Sequence, residues 1–316
     1  MTVEQIRIRT GGPEGFNSAY VLPERGLLID PGPPGEESWN QLRRGLRNAG
    51  VALDDVVHVV VTHWHVDHAG LAPRIAETAD AQIHMHERDA PLLATYARER
   101  ERRYHRDATT LEAWGVPAER VTDVHAADIP SALPDKTVVE THVEGDTVAG
   151  TTVIHTPGHT AGHLALSVDG HVFVGDTVLP TYTPNVGGSD TRLANPLASF
   201  LRSINRLERA DGVLHPGHGS QLDTPKRLKT IRNHHQGRSQ RVFNWVRRLN
   251  RPTPWDIAKE LFGEMQGIHI KFGAGEAAAH LEYLVQNDII ATISTDPLRF
   301  ELRQGADEDT VSTIFE

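Results

Sequence analysis

The chain contains no cysteine, which excludes disulfides, thiolate metal sites and cysteine nucleophiles. Any metal must therefore be held by His, Asp or Glu. Long apolar runs are missing too. No stretch is long enough to span a bilayer, and Met1-Thr2-Val3-Glu4-Gln5 lacks a signal peptide's basic start and apolar centre. The expectation is a cytoplasmic protein with no membrane association. Lysine is scarce, confined to Lys136, Lys226, Lys229, Lys259 and Lys271, and the formal net charge is −10. Such an acid surplus argues against a general affinity for nucleic acid, although it leaves room for a local basic groove.

What the chain has in quantity is histidine, 19 in 316 residues. His63, His65, Asp67 and His68 crowd into six positions directly after Val56-Val57-His58-Val59-Val60-Val61, a β-branched run that reads as a buried strand. Ala69-Gly70-Leu71-Ala72 reads as the start of a helix running to about Thr78. The cluster is therefore expected on a strand-to-helix turn, with alternation aiming His63 and His65 one way and Asp67 and His68 another. Neutral imidazoles and a carboxylate suit zinc, and two directions suit two metals. The plainer alternative is a His-rich surface turn that meets metal only incidentally.

The rest of the chain alternates short strands and helices. Gln5-Ile6-Arg7-Ile8-Arg9, Ala19-Tyr20-Val21-Leu22 and Gly26-Leu27-Leu28-Ile29-Asp30 read as strands, and Glu37 to Asn48 as a helix. Ala81 to Met85, Thr137 to His142 and Thr151 to Thr156 are further strands. Leu164 to Val168 and His171 to Val174 flank Asp169-Gly170, a tight-hairpin signal. Asn195 to Ala210 and a long segment after Thr224-Pro225 have helical spacing. Between Glu87 and Gly115 lies a charged helical stretch, either a solvated face or a lid, with Arg102, Arg103, Tyr104 and His105 as candidate contacts. The pattern implies an α+β fold with mixed sheets covered by helices.

Three later segments repeat the logic of the first cluster: Thr156-Pro157-Gly158-His159-Thr160, Val174-Gly175-Asp176-Thr177 and His215-Pro216-Gly217-His218-Gly219 each end a strand with a ligand type. Each alone is weak; together they are a strong signal. Over roughly residues 4 to 235 the chain resembles the metallo-β-lactamase superfamily. The resemblance implies an αββα sandwich with a two-metal site at one edge. It implies His63, His65 and His159 as ligands of one ion, Asp67, His68 and His218 as ligands of the other, and Asp176 as a bridging carboxylate. Oxygen-reducing di-iron members of the superfamily carry a carboxylate where this chain has His65. Two divalent ions are implied, zinc first, although the same donors serve Mn²⁺ and Fe²⁺. A bound water loses its proton near neutral pH, so the expected chemistry is hydrolysis. Asp67 is expected to orient that nucleophile and accept or relay its proton, as the catalytic residue. Asp30, at a strand end, is either a partner of a ligand imidazole or a plain turn cap. His58, His84, His86, His155, His163 and His171 are expected to pack or face solvent. Tyr182 and Asn185, in the loop after Asp176, are candidates for substrate contact.

The C-terminal stretch reads as two helices, Pro254 to Phe262 and Gly275 to Asn287, then a hairpin around Thr295-Asp296-Pro297. That order is the pattern of a small winged-helix module. The chain thus divides into a catalytic domain over residues 1–235 and a winged-helix-like module over 236–316, resembling the LACTB2-type branch of the superfamily. The helix in the recognition position carries Glu276, Glu282 and Asp288 without Lys or Arg, which disfavours groove reading and suits a cleft wall or a homodimer contact. The expected substrate is a small thioester, ester or lactone. The alternative is a metal-dependent endoribonuclease on single-stranded RNA, to which Arg238, Arg241, Arg247 and Arg248 on the long helix would lend charge.

Overall fold

The computed structural model describes residues 1–12, 15–210, 212–220, 222 and 224–315, with the side chains of residues 10–12 outside the description. The chain divides into two compact units, one of Met1–Arg100, Ser131–Pro184 and Ser203–Arg227, the other of Glu101–Pro130, Asn185–Arg202 and Leu228–Glu316.

Two sheets make up the first unit. Strands β1 (Glu4–Gly12), β2 (Gly15–Leu22), β3 (Leu27–Ile29), β4 (His58–Val60), β5 (Gln82–His86) and β6 (Glu140–His142) form one in sequence order. The opening meander is antiparallel, whereas β3 to β6 run parallel. The second sheet orders β11 (Val213–Pro216), β10 (His171–Gly175), β9 (Leu164–Val168), β8 (Thr151–His155) and β7 (Thr147–Val148). The β9–β10 hairpin turns through Asp169 and Gly170 at φ 46° and 79°, the paired positive φ that favours Asp-Gly.

The sandwich is visible in which residues share a core. Tyr20, Leu22, Leu27, Ile29 and Val60 of the first sheet pack with Val153, Leu164, Leu166 and Phe173 of the second. The other face of the first sheet, with Ile6, Ile8, Val59 and Ile83, packs against helices α1 (Glu36–Asn48) and α3 (Ala72–Ala79), which bury Trp39, Leu42, Leu46 and Ile75. Val172 and Val174, opposite Phe173 on β10, are also fully buried. Both faces of that strand are therefore covered, as an α+β sandwich requires. The sheets are stitched at one edge: Ser18 N donates to Gly217 O (2.8 Å), Gly219 N to Phe16 O (3.0 Å), and Asn17 bridges His218.

Between α1 and α3 the helix starts earlier than the sequence suggests. A short turn, α2 (Val66–Ala69), begins directly at His65, whose carbonyl accepts from His68 N and Ala69 N. Asp67 and His68 therefore diverge from His63 and His65 through helical phase, not through loop alternation. The sixth strand is also shorter than the Thr137 to His142 expectation. The charged stretch after β5 is helical, as α4 (Ala90–Ala94) and α5 (Tyr96–Ala113). It is not simply a solvated face, since Leu111 and Trp114 are buried in the core of the second unit.

That core also takes Val121 and Val124 of α6 (Ala118–Ala127), and Val242 and Phe243 of the long helix α8 (Thr224–Arg248), which follows α7 (Pro196–Arg209). It is completed by α9 (Pro254–Phe262), α10 (Ile268–Gln286), the hairpin β12 (Ile290–Thr295) with β13 (Leu298–Leu302), and α11 (Glu308–Thr313). The unit is thus assembled from three stretches of chain, whereas the sequence suggests one continuous module from residue 236. Helix α10 begins at Ile268, earlier than Gly275, and so includes Lys271. That lysine is buried, with Nζ 2.7 Å from Asp107 Oδ2.

Candidate metal centre

Every candidate ligand lies just beyond the C-terminal end of a strand, or in the first turn after it. Asp30 follows β3, His63 to His68 follow β4, His159 follows β8, Asp176 follows β10 and His218 follows β11. Strand ends are rigid, and loops leaving them face one edge of the sandwich, where sites in open sheets collect. Gly217 shows how tightly the loops approach. A Cβ there would lie 2.5 Å from Asp176 Oδ1 and 2.6 Å from His68 Cε1.

Seven side chains converge in three overlapping groups: His63, His65 and His159; His63, His68 and Asp176; and Asp67, His68 and His218. His63 Nε2 and His159 Nε2 each lie 3.0 Å from His65 Nδ1. His68 Nε2 is 3.2 Å from His218 Nε2, which is 3.2 Å from Asp67 Oδ2. Nitrogens on a tetrahedral zinc at ordinary bond lengths stand ~3.3 Å apart, so the spacing fits. Asp176 faces both sides, with Oδ2 3.9 Å from His159 Nε2 and 3.5 Å from His218 Nε2, and Oδ1 3.4 Å from His68 Nε2. Its buried Oδ1 has no hydrogen-bond partner among the described residues, which in so polar a pocket suits an oxygen meant for a cation.

The hydrogen-bond network assigns the tautomers. Asp30, only 3% exposed, accepts from Thr62 N at Oδ1 (2.7 Å) and from Thr62 Oγ1 at Oδ2 (2.7 Å), while His68 Nδ1 lies 3.0 Å from Oδ2. A carboxylate only accepts, so His68 carries a proton on Nδ1, and Nε2 is the nitrogen it turns into the centre, to give a lone pair once a cation takes the place of its proton. Thr62 Oγ1, having donated to Asp30, is free to accept from His63 Nδ1 at 3.1 Å. His63 therefore also offers Nε2. Asp30 is thus the imidazole partner rather than a plain turn cap, and it acts on two of the candidate ligands.

The charges divide the centre in two. Burial, reinforced by the neighbouring His68 and His65, pushes His63 well below the ordinary imidazole pKa, and burial with His159 pushes His65 down to about 3. These are neutral donors. Burial opposes charge on His68 as well, but Asp176, Asp67 and Asp30 outweigh it and raise its pKa well above the ordinary value. His218 rises to about 10, its burial outweighed by Asp176 and Asp67. Burial would raise both carboxylates, yet His68 and His218 hold Asp67 and Asp176 below the usual range. This side draws positive charge, whether as protons or as a divalent cation.

Three contributors are not legible in the sequence pattern. Asn17 Nδ2 donates to Asp67 O and Asp67 Oδ2, both at 3.0 Å. His163, expected merely to pack, is completely buried and stacks on His63 with ring centroids 4.9 Å apart. Its Nε2 accepts from Asp176 N at 3.0 Å, and its Nδ1 lies 2.8 Å from Thr156 Oγ1. Asp89 is the third. Tyr182 and Asn185 do not join the seven. Tyr182 is exposed, its carbonyl held by Arg227 Nη2, and Asn185 Nδ2 donates to Phe272 O and Glu276 Oε2 within the second unit. A further grouping there, His234, His235 and Glu276, already contains a cation: the Arg238 guanidinium stands 3.2 Å from Glu276 Oε1 and 3.4 Å from His234 Nε2.

Comparison with known proteins agrees with this geometry. The probable metallo-hydrolase YqjP of Bacillus subtilis is 26% identical over 312 residues, spanning 92% of this chain and 96% of its own. An atrochrysone carboxyl ACP thioesterase of Aspergillus fumigatus is 29% identical over 229 residues, 69% of this chain and 56% of that protein. Among solved structures, the metallo-beta-lactamase family protein TTHA1429 of Thermus thermophilus superposes with a TM-score of 0.76 at 26% identity, covering 95% of this chain and 98% of that one. The sequence profile of the metallo-beta-lactamase superfamily matches residues 12–230, a span that contains every one of the seven converging side chains. The chain therefore belongs to the metallo-β-lactamase superfamily and is a metal-dependent hydrolase.

Proposed function

We propose that the centre holds two divalent metal ions, zinc first among them, and that the chain hydrolyses a small thioester, ester or lactone. The observation that carries this reading is the placement of Asp176, whose oxygens face both the His63–His65–His159 group and the Asp67–His68–His218 group. His63, His65 and His159 would hold one ion, Asp67, His68 and His218 the other, with Asp176 between them. When bound, such a pair supplies an activated water and polarises the carbonyl oxygen under attack. The protein's part is then orientation and proton handling. Asp67 exposes 36% of its side chain against 7% for Asp176, so it is the carboxylate that meets solvent and substrate. Asn17 fixes its Oδ2, leaving Oδ1 to accept a proton from the attacking water and to pass it to the leaving group.

The thioester end of the substrate range is supported by the Aspergillus relative, named for cleaving an acyl-carrier thioester. We also read the order α9, α10, β12–β13 as a winged-helix-like module of the LACTB2-type branch. The endoribonuclease alternative would draw on the arginines of α8, of which Arg241 is exposed and three others have contacts within the chain. Arg238 pairs with Glu276 and lies over Phe262, Arg247 pairs with Glu308, and Arg248 lies over Trp245. The one lysine of α10 is buried against Asp107. α8 still exposes Lys226, Lys229 and Arg241, so the nuclease stays the alternative that the RNA arm of the test addresses.

Dialysis against a chelator, then Zn²⁺ or Mn²⁺ add-back, is the test, run side by side on a thioester panel and on single-stranded RNA. Thioester hydrolysis should disappear and return, with RNA intact throughout. Full hydrolytic activity in His63→Ala or Asp176→Ala would sink the two-metal reading, and metal-dependent RNA cleavage without thioester turnover would transfer the proposal to the nuclease.

A further inference from the structure

Asp89 follows β5 and occupies the N-cap position of α4, where an aspartate ordinarily accepts from the first helical N–H groups. Here its side chain makes no capping hydrogen bond. The carboxylate is completely buried and turns instead to two other loops. Oδ2 accepts from Thr160 Oγ1 at 2.6 Å and from Trp64 N at 3.3 Å, and Oδ1 accepts from Gly162 N at 2.8 Å. Trp64 stands between His63 and His65, and Thr160 directly follows His159. One buried anion is therefore bonded to both segments that carry the three imidazoles of one group.

The approach is close. A Cβ on Gly162 would lie 2.6 Å from Asp89 N and 2.7 Å from its Oδ1, so residue 162 must lack a side chain for the loop to reach the carboxylate. Burial of an ionised carboxylate is costly unless it is fully hydrogen-bonded, and bonds to its charged form are short and strong. Forgoing the helix cap adds to that cost without any gain to α4. The arrangement makes sense as a fixed distance between the two ligand loops.

We propose that Asp89 is a positioning residue for the first metal position, setting the separation of the His63–His65 segment from His159. The inference rests on the two-metal reading above. Removing the carboxylate loosens the three nitrogens relative to one another while leaving Asp67, His68 and His218, whose supports are Asp30 and Asn17, in place. Asp89→Asn keeps the shape but must set an amide N–H either against Gly162 N or against Trp64 N together with Thr160, of which only the Thr160 hydroxyl can turn to accept. Thr160→Val removes one donor from the loop after His159, and Thr160→Ser retains it.

The experiment titrates the metal-stripped full chain with Co²⁺, read by its ligand-field absorption, and with Zn²⁺ against a chromophoric chelator. The unsubstituted protein should bind two equivalents. Asp89→Asn and Thr160→Val should weaken one equivalent about 10–100-fold and shift its Co²⁺ spectrum. The other equivalent should be unchanged, and Thr160→Ser should match the unsubstituted protein. Two equivalents at unchanged affinity in both weakened variants would overturn the inference while leaving the two-metal reading intact, even if thermal stability fell, because a merely structural staple lowers the melting temperature equally with and without metal. Fewer than two equivalents in the unsubstituted chain would overturn the two-metal reading and the inference with it. Should Asp89→Asn fail to fold, Thr160→Val alone decides, since it leaves the buried carboxylate bonded to Gly162 and Trp64.

Discussion

Asp30→Asn is the substitution that most sharply probes the centre, because it changes hydrogen-bond polarity and little else. The backbone tolerates it: Asp30 sits at φ 49°, a region asparagine also visits readily. The aspartate accepts three bonds, from Thr62 N, Thr62 Oγ1 and His68 Nδ1. An amide keeping its oxygen towards Thr62 N presents Nδ2 to the other two. Nδ2 then donates to Thr62 Oγ1, which turns its own proton towards His63 Nδ1, and His68 must accept at Nδ1 as well. Both imidazoles are driven to carry hydrogen on Nε2, the atom that faces the centre. The opposite amide orientation sets N–H against N–H at the 2.7 Å contact with Thr62. That orientation would keep both tautomers, but the N–H clash disfavours it, so the first prevails and the lone pairs facing the centre are lost from His63 and His68. Loss of such a partner weakens metal affinity about 10–100-fold, or about 1.4–2.7 kcal/mol, and folding stability falls by about 1–3 kcal/mol. Competition against a chromophoric chelator measures the first, chemical denaturation of the metal-free chain the second. Both equivalents should weaken, because the proposed assignment gives His63 and His68 to different ions. Two equivalents bound as tightly as in the unsubstituted chain would refute the tautomer argument.

Three further outcomes are expected. Gly217→Ala places a Cβ against Asp176 Oδ1 and His68 Cε1 and should lower metal affinity by at least about tenfold; metal stoichiometry and affinity equal to those of the unsubstituted protein would show that the loop can retreat. Lys271→Met leaves Asp107 buried with Thr191 Oγ1 as a neutral donor and, for charge, Arg103, which stands 3.8 Å away and is held closer by Asp128, so denaturation should show a loss of about 3–5 kcal/mol, and a loss well under ~1 kcal/mol would mean that Arg103 or water takes over the charge. The third concerns pH. His58 Nδ1, His84 Nε2, His84 Nδ1 and His142 Nε2 form a chain of 3.0 Å contacts across β4, β5 and β6, and burial, with His142 and His58 alongside, pushes His84 from 6.5 down to about 4. The unfolded chain therefore binds this proton more readily, so the contribution is intact above pH 6.5 and is lost as pH falls from 6.5 towards about 4. Metal-free protein should show that slope in denaturation midpoints, and His84→Gln should flatten it; an unchanged slope in the variant would assign the acid loss to other groups.

Most of the centre can be read in the sequence because metal ligation requires particular side-chain types at strand ends, and strand ends are marked by β-branched runs that stop at Gly, Pro or Asp. The spacing of His63, His65, Asp67 and His68 is local, so their convergence needs only the geometry of one turn. The supporting shell is harder to read. Asp89 lies within the charged stretch that reads only as helical, and tertiary packing alone reveals that its carboxylate turns to the loops of Trp64, Thr160 and Gly162. His163 and Asn17 carry no pattern of their own, since their partners lie at sequence distances set by the fold. The second unit is only partly legible for a similar reason. The helices and hairpin after Pro254 follow from periodicity and turn residues, whereas the recruitment of Leu111, Trp114 and Val121 into their core depends on long-range packing that hydrophobic spacing does not specify.

The seam where Asn17 meets His218 also sets when the centre can exist during folding. Ser18 and Gly219, whose hydroxyl and carbonyl meet at 2.7 Å, are 201 residues apart in the chain. Contacts of such span form late, because closing a long loop costs entropy before the contact rewards it. A nascent or unfolding chain therefore offers a cation only the local His63–His68 fragment. The full donor set exists only after both halves of the sandwich have closed, so under the two-ion proposal tight binding of a second equivalent reports completed assembly. Residual affinity of the fragment for metal in turn trims the stabilisation that loading can give the native state.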